Sequence, residues 1–313
     1  MKNPPKVPYD VLCKVRLGGE YRMVLNEGTD RESSTPWFDN LVLDGGLDRL
    51  GQSATSPNCL QYCSVGTGSV APAVGNTGLG AYLASVSNFL LDSGSNVGTP
   101  TYAGVVICHH TFAQGAVVGN ITEVGMGWQT GGTGLFSRSL IVNGSGTPVA
   151  LTVTALDVLT VYYKLTITPV ITDSNSSVVI SGTTYNFVAR LANASLFQQS
   201  PNYSLTSEVG WGYVSIAAVH PAGCTIGAIT AVPSGTTQSP ATSNPRGSYT
   251  NGNFYADTVI TWGPLAGNAT GGVQGLNVQF MNYGGRWQWV FATVIPKDNT
   301  KTLTLTVRYA WGR

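Results

Sequence analysis

The chain has 313 residues and a mass of 32.8 kDa, enough for one large β domain or two ordinary ones. Sixteen Lys and Arg balance fifteen Asp and Glu, and charged residues are only 10% of the chain, against about 25% in a typical soluble protein. That balance excludes a nucleic-acid binder driven by cation excess, and it excludes a charged disordered chain. With 39 glycines and 35 threonines, the composition suits short strands and tight turns rather than a helical bundle.

The opening residues, Met1-Lys2-Asn3-Pro4-Pro5, are polar and broken by proline, with no apolar stretch behind them. No run reaches the roughly 18 apolar residues of a membrane helix. The chain is therefore expected to be made in the cytoplasm of its host cell, without signal peptide or membrane insertion. Val11 to Leu17 and Glu20 to Leu25 alternate on either side of Gly18-Gly19, which predicts a β-hairpin. Leu43, Leu47 and Leu50 fall at helical spacing. They predict a short helix between Asp39 and Leu50, with Asp39 or Asp44 as N-cap and Gly51 just past its end.

Everything after this helix reads as strand and turn. Strands are predicted at Tyr62 to Val65, Ala81 to Leu91, Gly104 to Phe112, Asn120 to Val124, Leu135 to Val142 and Pro148 to Leu151. The stretch Asp157 to Ile167 is the clearest β pattern of the first half. Turn chemistry at Asp173 to Ser177 marks a boundary, dividing the chain into domains 1–169 and 170–313. In the second half, Val178 to Ile180, Tyr185 to Leu191, Val209 to Val219, Phe254 to Trp262, Leu276 to Met281, Trp287 to Ile295 and Thr302 to Trp311 are strand-like. Pro233 to Asn251 is a long polar loop. The fold class expected is all-β: two sandwich-like or jelly-roll-like parts with one short helix.

Several segments carry a resemblance. Trp37 to Gly51 contains Asn40-Leu41-Val42-Leu43-Asp44-Gly45-Gly46-Leu47-Asp48-Arg49-Leu50. Cys63-Ser64-Val65-Gly66-Thr67-Gly68-Ser69-Val70-Ala71-Pro72 follows, with Asn76-Thr77-Gly78-Leu79 after it. Then come Ile121 to Trp128, Leu135 to Leu140 and the Asp157 to Thr168 strand. In this order and spacing they resemble the tail and fibre-like structural proteins of tailed bacteriophages, over residues of about 35 to 168. The resemblance implies a non-enzymatic virion protein of tail, neck or baseplate. Its partners would be copies of itself and other tail or neck proteins. The alternatives are a fibre or tip module that binds a host glycan, and a polysaccharide-cleaving tail enzyme.

The residues themselves offer few sites. Gly66 and Gly68 are expected to supply positive φ angles for a tight turn. Arg138 is expected to pair with a carboxylate such as Glu123. Cys108-His109-His110 is the only tight cluster of metal-capable side chains, but adjacent strand residues point to opposite faces, so the two histidines are not expected to share an ion. HExxH, GxSxG and GxxxxGK[ST] are absent, and no cofactor or nucleic-acid partner is expected. The five cysteines, Cys13, Cys59, Cys63, Cys108 and Cys224, are odd in number and read as small buried hydrophobes or, alternatively, as intersubunit thiols. Tyr283, Arg286, Trp287 and Trp289 form a candidate glycan or subunit contact, with the two tryptophans on one strand face and ordinary core as the competing reading. So few charges protect a surface poorly against association, and the N-terminal arm, the 233–251 loop, or both are expected to be assembly contacts.

Overall fold

A computed structural model describes residues 12–52, 58–97, 102–192, 211–237, 241–280 and 285–313. Among these residues the architecture is nearly all β, with several sheets and a single helix. In chain order the first elements are β1 (Leu12–Leu25), β2 (Ser33–Ser34), β3 (Phe38–Asp39), β4 (Leu41–Val42) and α1 (Asp44–Gly51). Next come β5 (Tyr62–Gly66), β6 (Tyr82–Val86), β7 (Leu90–Val97), β8 (Ala103–Phe112), β9 (Gly119–Ile121), β10 (Glu123–Gly127) and β11 (Leu135–Leu140). The chain continues through β12 (Leu151–Val153), β13 (Leu159–Pro169), β14 (Ser174–Ile180), β15 (Thr183–Leu191) and β16 (Val214–Pro221). It closes with β17 (Tyr255–Trp262), β18 (Val273–Phe280), β19 (Arg286–Ile295) and β20 (Leu303–Gly312).

The largest sheet has the order β17-β20-β1-β13-β8-β7, with β2 and β3 also paired to β1. A second sheet runs β4-β11-β10-β5-β6, a third β14-β15-β19-β18-β16, and β12 pairs with β9 alone. Alternation decides what the large sheet buries. Cys13, Val15, Leu17, Tyr21 and Met23 of β1 share one face with Val161, Tyr163, Leu165 and Ile167 of β13 and with Leu305, Val307, Tyr309 and Trp311 of β20. The second sheet covers one part of this face, where the Tyr21 hydroxyl lies 2.7 Å from Ser137 Oγ. The third sheet covers another, where the Phe280 and Tyr309 rings are 4.7 Å apart. The opposite face carries ion pairs such as Lys164–Glu20 and Arg308–Asp257.

Two sandwich-like parts thus exist, but they share a sheet, and the boundary at 169/170 does not separate them. β20 lies parallel to β1, Cys13 opposite Tyr309, and β17 extends the same sheet. The last strand completes the apolar face of the first, so neither half buries its core alone.

The expected hairpin at Gly18-Gly19 is instead one continuous strand. β13 pairs with it without a break, from Val15 opposite Pro169 to Leu25 opposite Leu159. Gly19 is glycine for close packing, because a Cβ there would lie 2.5 Å from the Tyr163 hydroxyl. Asp173 to Ser177 is not a boundary turn either, since β14 begins at Ser174. The turn lies at Ser181-Gly182, both with positive φ (49° and 81°), as a two-residue hairpin of primed type requires.

The helix is present but shorter than the window predicted: Leu43 stands at its N-cap position, Asp44 is its first residue, Asp39 lies in β3, and Gly51 is its last residue rather than the one past its end. Gly46 seats the helix on the second sheet: a Cβ there would fall 2.4 Å from the Phe136 carbonyl oxygen. The last turn of the helix is tied to the far end of the chain. Trp211 N–H donates to the Leu50 carbonyl at 2.7 Å, Arg246 donates to the Gly51 carbonyl, and Trp311 Nε1 donates to the Leu47 carbonyl at 2.9 Å. These donors satisfy carbonyls that a helix end leaves without intrahelical partners. The described part of the 233–251 loop takes part in this: Tyr249 stacks on Trp311 and donates to Asp48 at 2.6 Å. Residues 241–251 thus pack against their own chain. The N-terminal arm lies outside the described residues.

Candidate functional site

The aromatic set expected on the surface divides. Trp287 and Trp289 do share one strand face, but it is the core face, opposite Leu191 and Ala189 of β15, and both are buried. Arg286 donates to Gln279 Oε1 at 2.6 Å, and Tyr283 lies outside the described residues. A glycan or a partner subunit does not reach the two tryptophans in this fold.

The cysteines are corrected in the same sense. All five are free and buried, and burial pushes their thiols above the ordinary range, Cys59 to about 12. A thiol with no surface and little thiolate forms no intersubunit bridge. The native protein is expected to resist a thiol-reactive reagent and to release all five thiols on denaturation. Rapid labelling of any of them in the native state, read by intact mass, would refute this.

The two adjacent histidines point to opposite faces, as alternation requires. His109 faces outward, its Nδ1 2.6 Å from Asp92 Oδ1 and its ring beside Tyr162. His110 faces inward against the Leu60 carbonyl, and burial pushes its pKa down to about 4. Among the described residues no group of three or more His, Cys, Asp or Glu side chains is placed to hold a metal ion. A groove of about 650 Å³ on the third sheet is lined by Asn175, Asn186, Val188, Val290 and their neighbours, and no titratable side chain lines it.

The most elaborate polar constellation lies in the second sheet. Glu123 on β10 and Arg138 on β11 are both buried and form an ion pair in which Nε and Nη2 both donate to the one oxygen Oε2, at 2.9 and 2.7 Å. This is the pairing that the sequence suggested. What sequence reasoning missed is everything else the pair holds. Glu123 also accepts the backbone N–H groups of Gly68, Gly80 and Ala81 at 2.7 to 2.9 Å. Arg138 donates further to the Val70 carbonyl and to Asn76 Oδ1. The pair thus clamps both ends and the middle of the loop 67–81. Burial by itself would raise the Glu123 carboxyl. The N–H groups of Ala81 and Gly80, and then Arg138, outweigh it and hold the carboxyl below its usual range.

The clamp explains the glycines of this loop differently from the sequence reading. Neither Gly66 nor Gly68 is among the positive-φ residues. A Cβ on Gly66 would lie 2.3 Å from the Ala81 carbonyl, and one on Gly68 equally close to Glu123 Oε1. The Gly-Thr-Gly spacing makes room for a carboxylate and a neighbouring backbone. The loop so fixed displays Val70 and Val74, and β6 behind it displays Tyr82 and Leu83, all exposed. Apolar side chains held at the surface by a buried polar frame suit a contact surface.

Comparison with protein-family models, with curated proteins and with solved structures finds no match. Among the described residues no helix is long and apolar enough to cross a membrane.

Proposed function

We propose that this chain is a structural, non-enzymatic component of a tailed-bacteriophage particle, built into the tail, neck or baseplate through contacts with copies of itself and with neighbouring tail or neck proteins. One observation carries the reading. Most of the separated segments that resemble phage tail and fibre-like proteins come together in space: α1, β4, β5, β10 and β11 form one unit around the Glu123–Arg138 clamp, while the Asp157 to Thr168 segment lies on β13 of the large sheet. The clamp consumes its charges internally and turns the loop into a rigid platform with exposed valines. The scarcity of surface charge points the same way.

The glycan-binding alternative loses the two tryptophans that motivated it, because both are buried. The test is fractionation of purified particles and their dissociated tails, with the chain detected by mass spectrometry. The expected result is a fixed copy number co-purifying with tail or neck structures. Absence from purified particles, or release of reducing ends from host polysaccharide by the purified chain, would overturn the proposal.

A further inference from the structure

A sheet edge exposes unpaired backbone N–H and C=O groups, and natural proteins blunt such edges with charge, proline, bulges or cover. Most edges here are treated in one of these ways. β17 is covered by its own chain, since Ser243 bridges to Thr261 and Arg246 to Thr258. β7 carries Asp92 and a register shift at Leu91/Ser93. β16 is irregular near both ends and finishes in Pro221. β6 is only five residues long, with an irregularity where it meets Gly66, and β4 has two residues.

Among the longer described edge strands, β14 is the exception. Its seven residues, Ser-Asn-Ser-Ser-Val-Val-Ile, hold no charge and no proline, and they pair with β15 in unbroken register from Ser174 opposite Ala189 to Ile180 opposite Thr183. No described backbone group pairs with its other edge. Ser176 and Val178 lie opposite the buried Phe187 and Tyr185, so Asn175, Ser177 and Val179 face outward, and Val179 is 59% exposed.

We infer that β14 is a pairing edge for a second copy of this chain, joined antiparallel about a two-fold axis at Ser177, so that two five-stranded sheets become one of ten. The edge is compatible with a second copy of itself. About that axis Asn175 opposes Val179 of the other copy, Ser177 opposes itself, and Ser174 opposes Ile180, so no like charges meet. Asp173, just outside the strand, is already neutralised by Arg190 at 2.6 Å and would oppose only Ser181. The symmetry keeps odd residues opposite odd residues, so both copies keep their buried faces on the same side. A strand pair buries less than the ~1,200 Å² of a stable interface, so the dimer is weak in solution and gains strength from other contacts in an assembly. The inference rests on the assembly reading above in taking a second copy as the occupant, and its test is independent of any particle.

The test is analytical ultracentrifugation of the whole chain over a wide concentration range, with far-UV spectra and thermal unfolding as controls of folding. The wild type should show concentration-dependent dimerisation. Asn175→Lys combined with Val179→Lys sets like charges directly opposite each other twice, and should weaken the dimer about tenfold. Asn175→Lys combined with Val179→Glu sets opposite charges there and should restore association to the wild-type level or above. A wild type that stays monomeric throughout, or two double variants that behave alike, would overturn the inference. Absence of the chain from particles with this order of association intact would instead defeat only the virion reading.

Discussion

A fragment ending at Pro169 is expected not to fold. Truncation there removes β17 and β20, and with them the strand that pairs with β1 from Leu12 to Arg16. It uncovers Cys13, Val15 and Leu17, which are buried in the whole chain, and strips the last turn of α1 of the Trp211, Arg246 and Trp311 donors. Each buried aliphatic side chain returned to water costs about 1.5–3 kcal/mol, against a total stability of about 5–15 kcal/mol for a whole domain. A handful of such exposures exceeds what a half-chain can carry. The expected observation is a fragment with no cooperative urea transition and no near-UV signal, recovering both when residues 170–313 are supplied in trans. A fragment 1–169 that unfolds cooperatively by itself would restore the two-domain description and overturn the shared-core account.

Substituting Arg138 by Leu should cost about 3–5 kcal/mol at neutral pH, because it leaves the Glu123 carboxylate buried without its counter-charge. It also frees the Val70 carbonyl and Asn76 from their donor. The cost should depend on pH in a definite direction. The Glu123 carboxyl is held below its ordinary value in the native wild type. Its contribution is therefore present above the unfolded pKa of about 4.3 and is lost as pH falls through the lower folded value. In the variant, protonation relieves the stranded charge. The stability gap between wild type and Arg138→Leu, measured by urea unfolding with tryptophan fluorescence, should be widest near neutrality and should narrow below about pH 4. A gap that stays constant with pH would mean that the loss is packing alone. Other carboxylates are common to both proteins and cancel in the difference.

Both experiments probe what the sequence alone conveyed unevenly. Period-two alternation made the β class legible, and it located the strands around Gly104 to Phe112, Leu159 to Ile167, Tyr255 to Trp262 and Leu303 to Trp311 closely. The same period placed His109 and His110 on opposite faces and Trp287 with Trp289 on one face. The pairing of Arg138 with Glu123 was legible because both sit on apolar strands close in the chain, where a lone charge would be too costly to bury.

What alternation leaves open is whether a given face is covered, since that depends on strands distant in the chain. Trp289, and Trp287 on the same face, point inward because β20 lies beneath the third sheet, and nothing within β19 records this. The division into halves went the same way: the order of elements along the chain does not state that the last strand lies beside the first. Glycine is ambiguous for a related reason. Gly18-Gly19 and Gly66-Thr67-Gly68 carry the local signature of turns, yet Gly19, Gly66 and Gly68 are glycine because a hydroxyl, a carbonyl or a carboxylate from elsewhere in the fold occupies the space of a Cβ. Local sequence determines which backbone shapes are permitted, and only the packed neighbours decide which atoms fill the room that a missing side chain leaves.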